Sequence, residues 1–246
     1  MKKISYSQYS MWAQCPHRWK TAYIDGHREF SDNIHTLFGT SMHEVIQTFL
    51  TVMYNDTAKM AEALPLEDML LTRMKRNFES VLETNGGEMF CTEKDMVEFY
   101  QHGVEILKFI RKKRAQYFSK KGYELIGIEV PLNYDLPNNV KFVGYIDIVI
   151  RDTVRDVIKI YDIKTSTMGW NKWMKADKNK TDQLLLYKQF YSKQFNHPMD
   201  KIEVEYFIVK RKLYENLDFP QKRVQKFTPA NGKPSINQVV KRLDEF

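Results

Sequence analysis

Cysteine is nearly absent from this chain: Cys15 and Cys91 are the only two in 246 residues. Two thiols exclude a multi-disulfide framework and a metal cluster built from cysteine alone. No apolar run approaches the ~20 residues needed to span a bilayer. The opening Met-Lys-Lys is followed by Tyr6, Ser7, Gln8 and Tyr9, where a secretory signal would carry its apolar core. A cytosolic protein is therefore expected. The sequence has no Gly-x-x-x-x-Gly-Lys-Ser/Thr loop to cradle a nucleotide phosphate. It also lacks an internal repeat, a low-complexity tract and a clear linker.

What remains is an ordinary globular composition, 43% hydrophobic and 28% charged. The length suits one sizeable core, so one domain over 1–246 is expected. The charge is not balanced: the net value is +7 and the pI about 9.1. The excess is clustered. Residues 108–121 hold Lys108, Arg111, Lys112, Lys113, Arg114, Lys120 and Lys121 and no acid. Residues 172–193 hold six lysines against Asp177 and Asp182. Residues 210–226 hold Lys210, Arg211, Lys212, Lys222, Arg223 and Lys226 against Glu215 and Asp218. Any one block can be a solvated helix face. Three together favour a polyanionic partner.

The periodicity divides the chain in two. Residues 1–120 read as mainly helical. Ser7 or Ser10 is placed to cap a helix running to about Tyr23, and 39–54, 66–83 and 94–118 carry apolar residues at helical spacing. Asn85-Gly86-Gly87 breaks the last two apart. Residues 121–246 carry the sheet, with strands expected near 123–134, 140–151, 156–165, 202–210 and 221–228. Pro137-Asn138-Asn139 turns the first pair and 152–156 the second. Helices are expected at 178–195 and from Ser235. This order gives an α/β fold with helices before and after a sheet.

Residues 144–164 hold the densest chemistry. Gly144-Tyr145-Ile146-Asp147 lies on one strand and Asp162-Ile163-Lys164 on the next. Residues two apart on a strand share a face, so Asp162 and Lys164 point the same way. A hairpin would set Asp147 beside Asp162. Val143, Tyr145 and Val149 share the parity of Asp147, and Ile158 and Ile160 that of Asp162, so the carboxylates interrupt apolar faces. Such a cluster is costly unless paired. A divalent metal would pair the carboxylates and a phosphate the lysine. Read from residues alone, Asp-x-Lys also fits a surface ion pair.

Further motifs fall in a fixed order. Ser5-Tyr6-Ser7 is followed by Cys15-Pro16, Trp19, Lys20 and Tyr23, then Gly39-Thr40-Ser41-Met42-His43, then Glu129, Gly144 to Asp147, Asp162-Ile163-Lys164-Thr165 and Gln183-Leu184-Leu185-Leu186-Tyr187. Together they resemble the PD-(D/E)XK nuclease superfamily, in particular its RecB-like exonuclease branch. The resemblance runs from residue 5 to 187. It implies a restriction-endonuclease-like mixed β-sheet core flanked by helices, as in CRISPR-adaptation, phage and mitochondrial genome-maintenance exonucleases. It also implies Mg²⁺ or Mn²⁺ held by Asp147, Asp162, His43 and the Ile163 carbonyl, with Glu129 near a second ion. Lys164 would act at the attacking water and scissile phosphate, with Gln183 and Tyr187 over the site. From the residues alone, His43 fits a core histidine better than a ligand, Glu129 equally a surface acid, Tyr187 the core and Gln183 the surface.

Some relatives hold an iron–sulfur cluster through a cysteine at the position of Cys15 and three near the C-terminus. No cysteine follows Tyr187 here, so no cluster is expected, and Cys15 should pack as a small apolar residue. The implied activity is a metal-dependent DNA exonuclease favouring single strands or ends, in recombination, repair or replication. Proteins of those processes are possible partners, and no membrane is involved. The setting would be a bacterial or phage-infected cytoplasm, or an organelle matrix if a transit peptide is missing. Trp170, Lys172, Trp173 and Lys175 combine aromatic and cationic groups suited to a single strand; a patch under a loop fits the tryptophans equally. A structure-specific endonuclease and a non-catalytic nucleic-acid-binding module are the alternatives.

Overall fold

The computed structural model describes residues 2–27 and 32–246. Six strands form one mixed sheet: β1 (Lys2–Ser5), β2 (Tyr123–Leu136), β3 (Val140–Asp152), β4 (Val157–Ser166), β5 (Ile202–Lys210) and β6 (Val224–Phe227). Their order is β1-β3-β4-β5-β6, with β2 along the other edge of β3. The β2–β3 hairpin turns at Pro137-Asn138-Asn139. Asn138 and Asn139 both take left-handed φ, of 59° and 58°, which asparagine tolerates better than most residues. β3–β4 and β5–β6 are antiparallel, whereas β1–β3 and β4–β5 are parallel.

One edge of β3 is shared by two strands. β1 pairs with residues 140–143 and β4 with residues 148–152. Residues 144–147 have no strand partner on that edge. The gap falls on Gly144 to Asp147.

Helices cover both sheet faces. On one face lie α3 (Ile34–Asn55), α5 (Leu66–Thr84) and α6 (Glu93–Tyr117). Phe38, Met42, Val45 and Phe49 pack there with Ile148, Tyr161, Ile163 and Phe207. On the other face lie α1 (Tyr6–Gln14), α8 (Lys178–Gln194) and α9 (Lys233–Asp244). Leu184, Leu185, Tyr187 and Phe190 pack there with Ile146, Ile158, Ile160 and Ile208. Ile158 and Ile160 thus face opposite to Tyr161 and Ile163, the alternation of a strand buried on both sides. Capping boxes at Asn33/Thr36 and Thr92/Asp95 start α3 and α6.

Several boundaries differ from the sequence expectation. The first helix is two, α1 and α2 (Pro16–Tyr23), because Cys15 is extended before Pro16. Ser5 caps α1, not Ser7 or Ser10. Cys15 is exposed rather than packed as an apolar residue, and its Sγ accepts from the Arg18 amide at 3.4 Å. Four-residue β1 and five-residue α4 (Ala58–Glu62) and α7 (Lys172–Ala176) are too short to show a period. No helix among the described residues is long and apolar enough to cross a membrane.

Helix α6 approaches α3 and α5 through Gly103. A Cβ there would collide with Leu70 Cδ2 and press on Phe38 and Met42, all fully buried. Alanine adds about 1 kcal/mol of helix propensity over glycine, but overpacking a closed core typically costs about 1–3 kcal/mol. Gly103→Ala is therefore expected to destabilise by up to about 2 kcal/mol in urea unfolding. A higher midpoint would contradict this packing.

Candidate active site at the parting of β3 and β4

The β3–β4 ladder ends at Ile148 opposite Tyr161. Beyond it the strands part, and side chains take over from the ladder. The Ile163 amide donates to Asp147 Oδ2 at 2.6 Å. One residue back, Asp162 is 1% exposed, and its Oδ2 lies 2.8 Å from Lys164 Nζ. That contact lacks hydrogen-bond alignment, and Asp162 Oδ2 is a buried oxygen with no hydrogen-bond partner. Lys164 Nζ donates instead to Gln183 Oε1 at 2.9 Å. Gln183 Nε2 in turn donates to the Tyr187 hydroxyl at 3.1 Å. Gln183 and Tyr187 are one turn apart on α8, so one helix face fixes the lysine. Tyr187 reaches this position because residue 144 is glycine: a Cβ there would stand 3.2 Å from its ring.

Helix α3 supplies the other wall. His43 Nδ1 lies 3.6 Å from Asp147 Oδ2. One turn later, Gln47 Nε2 donates to Glu129 Oε1 at 2.6 Å and to the Asp147 carbonyl at 3.3 Å. Gln47 was not among the sequence candidates. The signal was present: a polar residue four after His43 interrupts the apolar face of α3.

Glu129 occupies a special place on β2. Its φ is 49°, left-handed in mid-strand. Ile128 pairs with Ile148 in the core under α3, yet Val130 pairs with Ile146 in the core under α8. Residues two apart normally share a face, so the ribbon turns over at Glu129 and Asp147. The parity expected around Asp147 fails for this reason. Val149 faces α8 with Ile146, and Tyr145, expected on an apolar face, is 61% exposed. Left-handed backbone at a non-glycine residue costs on the order of 1–3 kcal/mol and concentrates at functional sites.

Burial controls the electrostatics. Desolvation pushes Asp147 and Asp162 up to about 6, although Lys164 pulls both down. Burial alone would lower Lys164, but Asp162 and Asp147 outweigh it and raise its pKa. Burial lowers the His43 pKa, which favours the neutral imidazole with a free lone pair. Among the described residues, no three His, Cys, Asp or Glu side chains form a ready-made metal cage. The donors are nonetheless those a divalent cation takes: two desolvated carboxylates, one of them ion-paired only to Lys164, beside a neutral imidazole. Their present contacts to Lys164 and the Ile163 amide would give way to an ion.

Most sequence candidates converge here: His43, Asp147, Asp162, Ile163, Lys164, Gln183 and Tyr187, with Glu129 joined through Gln47. The tryptophan–lysine group behaves differently. Trp170 is 7% exposed, with the Tyr206 ring centroid 4.8 Å away and that of Phe227 at 6.0 Å. It is largely enclosed as a core side chain, with only an edge at the groove beside Lys164. Trp173, on α7, is 73% exposed. Lys172 Nζ lies 4.8 Å from the Trp173 ring centroid, and Lys175 Nζ folds back to within 5.5 Å of Phe227.

Two predictions follow from the strain and the burial. Glycine is normally worse than alanine in a strand, but at left-handed φ the order reverses. Glu129→Gly should therefore be about 1 kcal/mol more stable than Glu129→Ala in denaturant titrations; the opposite order would exclude the left-handed conformation. A carboxyl whose folded pKa exceeds its unfolded one supports folding while protonated and opposes it once ionised. The metal-free protein should thus lose stability as pH rises from about 4 to about 6. Asp147→Asn should recover on the order of 1–3 kcal/mol at pH 7 and nothing at pH 3. Equal destabilisation by this variant at both pH values would show that Asp147 is not a desolvated charge.

Comparison with known proteins bears on the family and the fold. A family model for the PD-(D/E)XK nuclease superfamily matches residues 3–244. A search of curated proteins finds no match. Among solved structures, an Eubacterium rectale protein provisionally named an exonuclease is similar over 99% of this chain and 79% of its own, with 13% identity and a TM-score of 0.51. The structure of SSO0001 aligns over 97% of this chain and 85% of its own, with 11% identity and a TM-score of only 0.30. The first supports the fold, a mixed sheet flanked by helices. With the family model spanning almost the whole sequence, this chain belongs to the PD-(D/E)XK nuclease superfamily.

Proposed function

We propose that this chain is a metal-dependent DNA exonuclease of the RecB-like branch, acting on single strands or free ends in recombination, repair or replication. The observation that carries the reading is the convergence of Asp147, Asp162, Lys164 and His43 where β3 and β4 part. Nucleases of this superfamily generally use divalent metals. Asp147, Asp162 and His43 would hold Mg²⁺ or Mn²⁺, with the Ile163 carbonyl as a further donor and Glu129 at the rim. A bound ion supplies Lewis acidity to the phosphate and acidity to the attacking water.

The protein's own groups do the rest. Lys164 presents an ammonium whose raised pKa keeps it charged at neutral pH. It can orient water and donate to the phosphate oxygens as negative charge develops. Gln183 holds that ammonium and Tyr187 holds Gln183, so little reorganisation is needed. Water adds to phosphorus, the P–O ester bond breaks, and the leaving alkoxide takes a proton. The net charge of +7 suits a polyanionic substrate. The chain would work as a single catalytic domain without an iron–sulfur cluster.

Digestion of end-labelled linear and circular single-stranded DNA with Mg²⁺, Mn²⁺ or EDTA tests this. Linear DNA should be degraded with either metal, circular DNA spared, and EDTA should stop the reaction. Equal loss of circular DNA would convert the reading to an endonuclease. Asp162→Asn should abolish cleavage and weaken Mn²⁺ binding in calorimetry. Lys164→Ala should slow cleavage by about 10²–10³ while Mn²⁺ binding persists. Cleavage at near wild-type rates by either variant would remove the site assignment.

A further inference from the structure

A groove of about 590 Å³ opens from the active-site lysine. Lys164 and Gln183 form its inner end, and α1 and the first turns of α2 and α8 form its walls. Ser7, Ser10, Gln14 and Arg18 line one wall and Lys180 the other. Met11 and Met174 add apolar surface. Three cations and no acid line the groove among the described residues. Lys164 is committed to Asp162 and Gln183. Arg18 and Lys180 have no acidic partner among the described residues, so both are free to meet a phosphate.

The walls are tied together. The buried Tyr6 hydroxyl donates from α1 to the Asn179 carbonyl at 2.9 Å. The Tyr206 hydroxyl donates from β5 to the Lys180 carbonyl at 2.6 Å. These bonds fix α1 and α8 to each other and to the sheet on either side of Lys164, so the groove is formed before anything binds. Such preorganisation lowers the ordering cost of a bound chain.

We propose that this groove is a subsite for single-stranded DNA, binding the nucleotides next to the scissile phosphate. Arg18 and Lys180 contact backbone phosphates, and Met11 and Met174 receive a sugar or base. The inference rests on the nuclease reading and specifies its substrate. Cations beside apolar surface fit a strand whose bases are unstacked and accessible. A blunt duplex turns its phosphates outward and hides its base faces.

The test is binding of fluorescent oligothymidylate in EDTA, read by anisotropy, so that cleavage plays no part. Each phosphate contact to a single strand contributes a salt slope of ~0.7, or about fivefold in affinity at 0.1 M salt. Arg18→Ala/Lys180→Ala should bind about 25-fold more weakly, with a salt slope smaller by about 1.4. Lys59→Ala/Lys75→Ala, which removes the same charge from exposed positions on α4 and α5, should bind as the wild type does. Thermal unfolding of both double variants checks that they fold. Wild-type affinity in Arg18→Ala/Lys180→Ala overturns the subsite. An equal loss on blunt duplex overturns its single-strand character, and an equal loss in the charge-matched control overturns the subsite itself. Hydrolysis of bis(p-nitrophenyl) phosphate by the wild type with Mn²⁺ tests the catalytic reading separately. Its absence alongside the expected binding loss would keep the groove and remove the nuclease.

Discussion

Asp147 and Asp162 lie where β3 and β4 part, and holding two carboxylates out of water there costs several kcal/mol per ion unless compensated. One ammonium and one backbone amide provide the compensation in this structure. It is incomplete: Asp162 Oδ2 keeps no hydrogen bond, and both carboxyls are pushed up to about 6. The surrounding elements can be understood as a frame that holds this unfavourable arrangement in place. Apolar packing on both faces of β4, with Ile158 and Ile160 on one side and Tyr161 and Ile163 on the other, supplies the stability that the site gives up.

The frame works from two directions. Helix α8 reaches the site through Gln183 and Tyr187, and helix α3 through His43 and Gln47. Both are long helices seated on the sheet, so the functional groups inherit the rigidity of elements and not of loops. The gap on β3 between the segments paired to β1 and β4 leaves room for them. Beside that gap the β2–β3 ribbon turns over at Glu129 and Asp147. A local backbone cost is thereby tied to the position of a functional carboxylate. The groove beside α1 extends the same logic outward, with two tyrosine hydroxyls fixing its walls.

Much of this was legible in the sequence, for identifiable reasons. Strand alternation put Asp162 and Lys164 on one face, and the structure has them there. The four-residue spacing of Gln183 and Tyr187 put them on one helix face, and they meet Lys164. The failures are equally specific. Parity counting past Asp147 went wrong because it assumes a regular strand, and the chain turns over at Glu129. Trp170 stands among lysines just after the Asp162–Lys164 strand but is enclosed by Tyr206 and Phe227, which lie 36 or more residues later. Cys15 reads as a small apolar residue, yet it stands exposed as the cap of α2.

By itself, the sequence determined the types of the longer elements, the hairpin turn at Asn138 and Asn139, and the set of charged residues on β3 and β4. These depend on local steric preference and on apolar periodicity, which neighbouring residues fix between them. The tertiary structure decided which charges are desolvated, which are paired and which stay free. Arg18 and Arg242 are alike in sequence terms, but one faces an open groove and the other meets buried Asp182. Gln47 became a bridge only because α3 packs across β2 and β3. The difference is physical: periodicity is a property of consecutive residues, whereas desolvation and pairing depend on groups brought together from across the chain.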